Sequence, residues 1–203
     1  MTRIITIARG FGSGGRTIGK ILSEDLNIKY YDKDLIKLAS EESGINVRFF
    51  GLVDEKLKNS FIRRGGVYKG DIYDPNHRDF MSDRNLFNYQ AMVIKQLADK
   101  EPAVIVGRCA DYILKDRDDV LKVFIYADMD RSVKAVMDMY GTSEKESRKE
   151  IERINKERAE YYKYYTGRNW NDAENYNLCL DTSKLSYEKC IDIIKGYIKI
   201  LDT

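Results

Sequence analysis

The sequence predicts an α/β fold of three layers, a parallel sheet with helices on both faces. Three observations predict it. Short β-type apolar runs alternate along the chain with helical apolar periods, the pattern that parallel strands and crossover helices impose. A glycine-rich turn, Gly10-Phe11-Gly12-Ser13-Gly14-Gly15-Arg16-Thr17, follows at once on the first such run, Ile4-Ile5-Thr6-Ile7-Ala8. With 203 residues the chain has the size of one compact domain, or of a core domain with an inserted lobe, and can bury a real core.

Each element follows in order. After the turn, Ile18, Ile21, Leu22 and Leu26 form one stripe of a first helix, and Gly19 lets that helix approach the sheet closely. Tyr30-Tyr31 gives a short second strand, and Asp32 can cap the next helix, whose Leu35, Ile36 and Ala39 face inward before Gly44 ends it. Residues 45–81 break the alternation. Arg63-Arg64-Gly65-Gly66, Lys69-Gly70-Asp71 and Asp74-Pro75-Asn76-His77-Arg78 there read as a mobile loop or lobe rather than core. A helix from about Ser82 carries Leu86, Val93, Ile94 and Leu97 and stops before Pro102. Residues 103–106 and 121–126 are the two clearest buried strands, and 178–180 make a fifth. Residues 142–177 break the pattern again. Ser143-x-x-Glu146 is a capping box, and the spacings Glu152/Lys156 and Arg153/Glu157 open this region as a solvated helix that ends in aromatic and basic residues from Tyr161 to Trp170. The last helix begins near Ser186 and aligns Cys190, Ile194, Tyr197 and Leu201.

The glycine-rich turn carries the most chemistry. Its spacing is that of the phosphate-binding pattern G-x-x-x-x-G-K-[ST], with Arg16 in the lysine position. Gly10, Gly12, Gly14 and Gly15, with Ser13 between them, let successive N–H groups curl round an anion, and the helix start adds its positive end. Arg16 is placed to reach β- and γ-phosphates, and the Thr17 hydroxyl to sit on a magnesium ion. An ordinary glycine turn ahead of a helix is the bland alternative.

Composition narrows the partners. Thirty-five basic and 33 acidic residues leave a net charge of +2, so no global field speaks for nucleic acid. Binding of RNA or DNA through Arg63, Arg64, Lys69 and Arg78 is therefore the weaker reading. Cys109, Cys179 and Cys190 show no C-x-x-C spacing, which argues against a disulfide framework or a zinc site and suits a reducing compartment. No apolar stretch approaches the roughly 18 residues of a membrane span, and the N-terminal run is too short for a signal peptide. A cytoplasmic protein without a membrane partner is expected.

Four segments together resemble the cytidylate kinase-like family, relatives of the bacterial CMP kinases among the P-loop nucleoside monophosphate kinases. They are Ile7-Ala8-Arg9-Gly10-Phe11-Gly12-Ser13-Gly14-Gly15-Arg16, Tyr30-Tyr31-Asp32-Lys33-Asp34-Leu35-Ile36, Ile105-Val106-Gly107-Arg108-Cys109-Ala110-Asp111 and Arg158-Ala159-Glu160-Tyr161-Tyr162-Lys163-Tyr164-Tyr165-Thr166-Gly167. The resemblance implies a P-loop NTPase fold with five parallel strands in order 2-3-1-4-5, an acceptor-binding lobe within 45–81 and a helical lid within 142–177. It also implies phosphoryl transfer from ATP to a nucleotide-like acceptor. Departures from true CMP kinases are specific: Asp32 is followed by Lys33-Asp34-Leu35 instead of a hydroxyl-Gly-Ala run, and Gly107-Arg108 by Cys109 instead of aspartate. Arginine in place of the loop lysine is usual in the kinase-like branch. CMP as acceptor does not follow from the resemblance.

Phosphoryl transfer requires positive charge around three phosphates, a metal and a positioned acceptor. Arg108, at the C-terminal end of a central strand, points into the crevice where open α/β sheets bind ligands, and the resemblance makes it the acceptor-phosphate ligand; an ion pair with Asp32 or Asp111 is the alternative. Asp32 either orients the acceptor hydroxyl or a metal-bound water, or caps its helix. Arg153 and Arg158, five apart on the charged helix, could both reach a closing site; Arg158 is the favoured catalytic candidate because it lies in a family segment, whereas Arg153 reads as part of a solvated face. The tyrosines with Trp170 either stack on a base or pack the lid. His77, the sole histidine, lies in a loop and is a poor general base. Two function classes stay open: a small-molecule kinase, and a weak or silent nucleotide-binding module, because arginine is no neutral exchange for lysine.

Overall fold

The computed structural model describes residues 2–50 and 67–202. Five strands, β1 (Ile4–Arg9), β2 (Lys29–Tyr31), β3 (Ala103–Val106), β4 (Val120–Tyr126) and β5 (Leu178–Asp181), pair in parallel in the order β2-β3-β1-β4-β5. Strand β1 is central: Ile4 is in register with Ala103 on one side and with Val120 on the other.

Helices cover both faces, so the strands are apolar on both sides. Alternation at period two divides their side chains between two cores. Ile5, Ile7, Val104, Val106, Leu121 and Val123 pack under Ile18 and Leu22 of α1 (Gly15–Asp25) and under Cys190, Ile191 and Ile194 of α7 (Tyr187–Leu201). Gly19 is where α1 meets the sheet: a Cβ there would lie 3.0 Å from Ile7 Cδ1 and 3.3 Å from Val106 Cγ2. Ile4, Ile105 and Val120 face the other layer. That layer comprises α2 (Asp34–Ser43), α3 (Asp83–Lys100), the short α4 (Ala110–Ile113) and the end of α6 (Glu144–Thr166). Between β4 and α6 lies α5 (Met129–Tyr140).

The capping chemistry explains several boundaries. Ser82, Ser143 and Ser186 accept from the N–H groups of Asn85, Glu146 and Lys189 to open α3, α6 and α7, and Ser143 with Glu146 closes the expected reciprocal box. Two elements differ from the sequence reading. Helix α5 is not marked by a broad apolar stripe, because only Val133 and Val136 of its apolar side chains are buried. Leu201, assigned to the inner face of the last helix, is 53% exposed: Tyr197 and Ile198 still pack against the core, and Leu201 lies at the helix end beyond them.

Of the segment 45–81, residues 51–66 lie outside the described residues, and with them Arg63, Arg64, Gly65 and Gly66. Residues 67–82 form no strand or helix but are tied to α3. Asn85 accepts from Tyr73 N–H at 2.8 Å and donates to Phe80 O at 2.8 Å, and Asn88 donates to Asp71 O. Among the described residues no helix is long and apolar enough to cross a membrane.

Candidate active site

The turn from β1 to α1 commits some of its N–H groups to the protein, Gly10 to Ile125 O, Ser13 to Gly10 O and Gly15 to Ser13 Oγ, and leaves others without a protein acceptor. Ser13 is fully buried; its hydroxyl donates to Gly10 O at 2.9 Å, and its carbonyl accepts from the Thr182 hydroxyl at 2.9 Å. Its side chain therefore shapes the loop instead of facing a ligand. Phe11 N–H donates to Asn155 Oδ1 of α6 at 2.8 Å. Among the described residues no protein acceptor serves the N–H groups of Gly12, Gly14, Arg16 and Thr17, and these four lie at the N-terminal end of α1, where the helix dipole favours an anion. Gly12 is obligatory on two counts: its φ is +80°, and a Cβ would stand 2.7 Å from Ser132 O at the start of α5.

Beside the loop opens a cavity of about 260 Å³, and its wall brings Arg16, Asp32, Arg108 and Arg158 together, with Arg9 as a further guanidinium. Asp32 joins two of them. Its Oδ2 lies 2.6 Å from Arg16 Nε and its Oδ1 3.7 Å from Arg9 Nη2. The capping alternative for Asp32 fails. The N-cap position of α2 is Lys33, one residue later, without a side-chain cap, and the Asp32 carboxylate is spent on guanidiniums. Arg158 reaches in from α6, donating to Arg9 O at 2.8 Å and lying 5.7 Å over the Phe11 ring. Burial, then the charges of Arg9 and Arg16, pull its pKa down to about 9; burial pulls Arg9 down to about 10, with Asp32 opposing and Arg16 and Arg108 assisting. Such crowding of buried like charges favours an anionic occupant.

Arg108 enters from the turn after β3, where Gly107, Arg108 and Cys109 take φ of 76°, 57° and 55° in succession. Two consecutive non-glycine residues in the left-handed region cost on the order of 1–2 kcal/mol each, and such strain clusters at functional sites. Next in the chain Asp111 is 6% exposed and lines the cavity floor. The Tyr162 hydroxyl of α6 donates to its Oδ2 at 2.6 Å. Burial raises the Asp111 carboxyl to about 6 despite that bond and the nearby Lys122.

The remaining candidates separate cleanly. Thr17 is exposed at the loop end. Arg153 pairs with Glu150 and with Glu157, the latter at 2.5 Å, on the charged face of α6 and does not line the cavity. His77 stacks on Tyr73 at 4.2 Å in an exposed turn away from the cavity. Most of the aromatic cluster packs: Tyr165 is fully buried and stacks on Phe87 at 4.0 Å. Tyr161 and Trp170 line the cavity, while Trp170 also sits edge-on to Phe124 at 5.3 Å. Arg9, Asp111, Asn155 and Tyr162 join the site without being marked for it by sequence spacing. Arg9 does leave a signal, a charged residue closing the largely apolar run Ile4 to Ala8 directly before the glycine turn.

A five-stranded parallel sheet in this order, with a glycine-rich loop between β1 and α1, is the P-loop NTPase fold. The model of the cytidylate kinase-like family matches residues 4–184, and the chain belongs to that family. It is 25% identical over 200 residues to a cytidylate kinase of Methanosarcina mazei, covering 97% of each chain, and 27% identical over 205 residues to one of Methanosarcina acetivorans, also covering 97% of each. Among solved structures, an uncharacterized protein from Eubacterium ventriosum superposes with a TM-score of 0.70 at 29% identity, covering 97% of this chain and 98% of that one. A shikimate kinase from Bacteroides thetaiotaomicron shares the fold, with a TM-score of 0.55 at 13% identity over 97% of this chain and 98% of its own.

Proposed function

We propose that the protein is a phosphotransferase that moves the γ-phosphoryl group of ATP to a nucleoside monophosphate or a similar small acceptor. The observation that carries this reading is the convergence of four guanidiniums, Arg9, Arg16, Arg108 and Arg158, on one cavity beside the glycine loop. The uncommitted N–H groups of Gly12, Gly14, Arg16 and Thr17 fit donor phosphates, and the exposed Thr17 hydroxyl fits a magnesium ion. When bound, that ion supplies charge neutralisation at the β- and γ-oxygens. Arg16 and Arg158 bracket the transferring group, because both come within reach of the loop mouth and because developing charge there is stabilised by fixed cations in a water-poor site. Arg108 holds the acceptor phosphate. Asp32 orients the attacking group, and Tyr161 and Trp170 offer an aromatic wall to a base.

The name of the curated relatives makes CMP the first acceptor to test. One observation favours a second reading, a nucleotide-binding module with slow turnover: Asp32 holds Arg16 at 2.6 Å. Nucleic-acid binding stays the weaker reading on the net charge of +2. Thermal denaturation with a panel of nucleotides tests binding. ATP or ADP with magnesium at 100 times its dissociation constant is expected to stabilise the protein by about 2.7 kcal/mol, with a further rise on adding one class of monophosphate. No shift with any nucleotide removes both readings.

A further inference from the structure

We propose that Arg9 is a phosphate-binding residue at the junction of the donor loop and the acceptor cavity, held ready there by Asp32 until phosphate oxygens replace the carboxylate. The proposal rests on the phosphotransferase reading and adds to it a ligand that the glycine-loop pattern does not include.

Geometry carries it. Arg9 is the last residue of β1, in register with Ile125. It shares the parity of Ile5 and Ile7, which pack beneath α1, so its side chain leaves the strand on the α1 face. Two glycines from distant parts of the chain make room for it. A Cβ at Gly15, the first residue of α1, would lie 2.5 Å from Arg9 Cβ, and a Cβ at Gly107, after β3, would lie 2.2 Å from Arg9 Nη1. The side chain thus runs close against both glycines: a Cβ at Gly15 would strike its fixed Cβ, and one at Gly107 would push its guanidinium end aside. Its guanidinium emerges at the cavity wall with only 16% of the side chain exposed.

The charge balance at that point is unusual. Arg9 shares Asp32 with Arg16, Arg158 donates to the Arg9 carbonyl, and Arg108 lies in the same wall. Asp32 at 3.7 Å from Nη2 forms an ion pair but is too far for a direct hydrogen bond, so the planar fork of Arg9 has donors that phosphate oxygens can take over from it. A guanidinium fork matches phosphate oxygens in pairs. A buried arginine that only structured the fold would be expected to find its hydrogen bonds inside the protein. Placed between the α1 N-terminus and the cavity, Arg9 is positioned to meet oxygens of the group that passes from one to the other.

Calorimetric titration with inorganic pyrophosphate, on folded protein checked by circular dichroism, tests this without relying on turnover. Arg9→Gln is expected to weaken pyrophosphate binding at least tenfold. Asp32→Asn is expected to tighten it severalfold by releasing both Arg16 and Arg9, and that gain is expected to shrink when Arg9→Gln is added; an Arg9 that only structures the fold predicts an undiminished gain in the double variant. If Arg9→Gln unfolds, Arg9→Lys, which keeps the charge and the stem, decides the matter: severalfold weaker binding supports the proposal, and parental affinity overturns it. Parental affinity in Arg9→Gln, unchanged or weakened binding in Asp32→Asn, or an undiminished gain in the double variant likewise overturns it and leaves the phosphotransferase reading standing. Failure of the parent protein to bind pyrophosphate or ATP overturns both.

Discussion

Arg16→Ala is expected to lower phosphoryl transfer by roughly 10²–10³-fold, the usual loss when one preorganised donor to a transition-state oxyanion is removed. The fold should be untouched. Arg16 is half exposed at the loop mouth and buries no apolar surface in either core. Its bond to Asp32 is half exposed on the arginine side only, and Asp32, 13% exposed, retains Arg9 at 3.7 Å as a counter-charge, so a small loss of stability without loss of fold is expected. Arg16→Lys separates charge from shape. A simple charge requirement lets lysine recover the parental rate, whereas a need for the planar fork leaves it well below. Steady-state ATP turnover of both variants beside the parent, with circular dichroism, makes the comparison. An Arg16→Ala protein that is folded and as active as the parent would show that this arginine is no phosphate ligand.

The second large effect concerns Asp111 and pH. In the unfolded chain its carboxyl titrates near 3.8, and in the native protein burial raises it to about 6. A raised carboxyl means that the native state binds more protons than the unfolded state between those values, so this group makes stability fall as pH rises through that window and then level off. The full penalty above about pH 6 is on the order of 2–3 kcal/mol. Asp119, with its carboxyl lowered by hydrogen bonds from Arg117, pushes the opposite way in acid. The contribution of Asp111 is therefore isolated as a difference. Asp111→Asn keeps an oxygen for the Tyr162 hydroxyl and removes the buried charge, so its stability relative to the parent should improve by about 2 kcal/mol between pH 4 and pH 7.5. Urea unfolding of the two proteins across that range measures it. A difference independent of pH contradicts the assignment.

The parts of the fold legible in the sequence are those encoded locally. The run from Ile4 to Ala8 and the glycines behind it specify a strand, a turn and a helix without help from the rest of the chain. Ser82, Ser143 and Ser186 mark helix starts by the same local chemistry. Asp32 is ambiguous in sequence because a cap and an ion-pair partner look alike there. Lys33 occupies the cap position, and Asp32 is drawn to two arginines that only the folded sheet brings near. Helix α5 carries its signals at its ends, Asp128 as N-cap and Gly141 at the stop, while its two buried valines give too thin a stripe to reveal it. Arg9 shows in sequence only as a charge closing a strand, and its place in the site is set at a distance, where its guanidinium lies against Gly107 in the turn after β3. Asp111 acquires its raised pKa from burial beneath α6, which no spacing within its own segment reveals.

Formation of ADP from ATP, followed with each common nucleoside monophosphate and with the matching unphosphorylated nucleosides, tests the central claim most directly. The proposed function predicts magnesium-dependent ADP formation that rises at least tenfold with one class of monophosphate and not with its nucleoside, because it assigns the acceptor's phosphate to Arg108, which lines the cavity with three further guanidiniums. ADP formation that no acceptor stimulates, from protein that is folded and binds ATP, would contradict it.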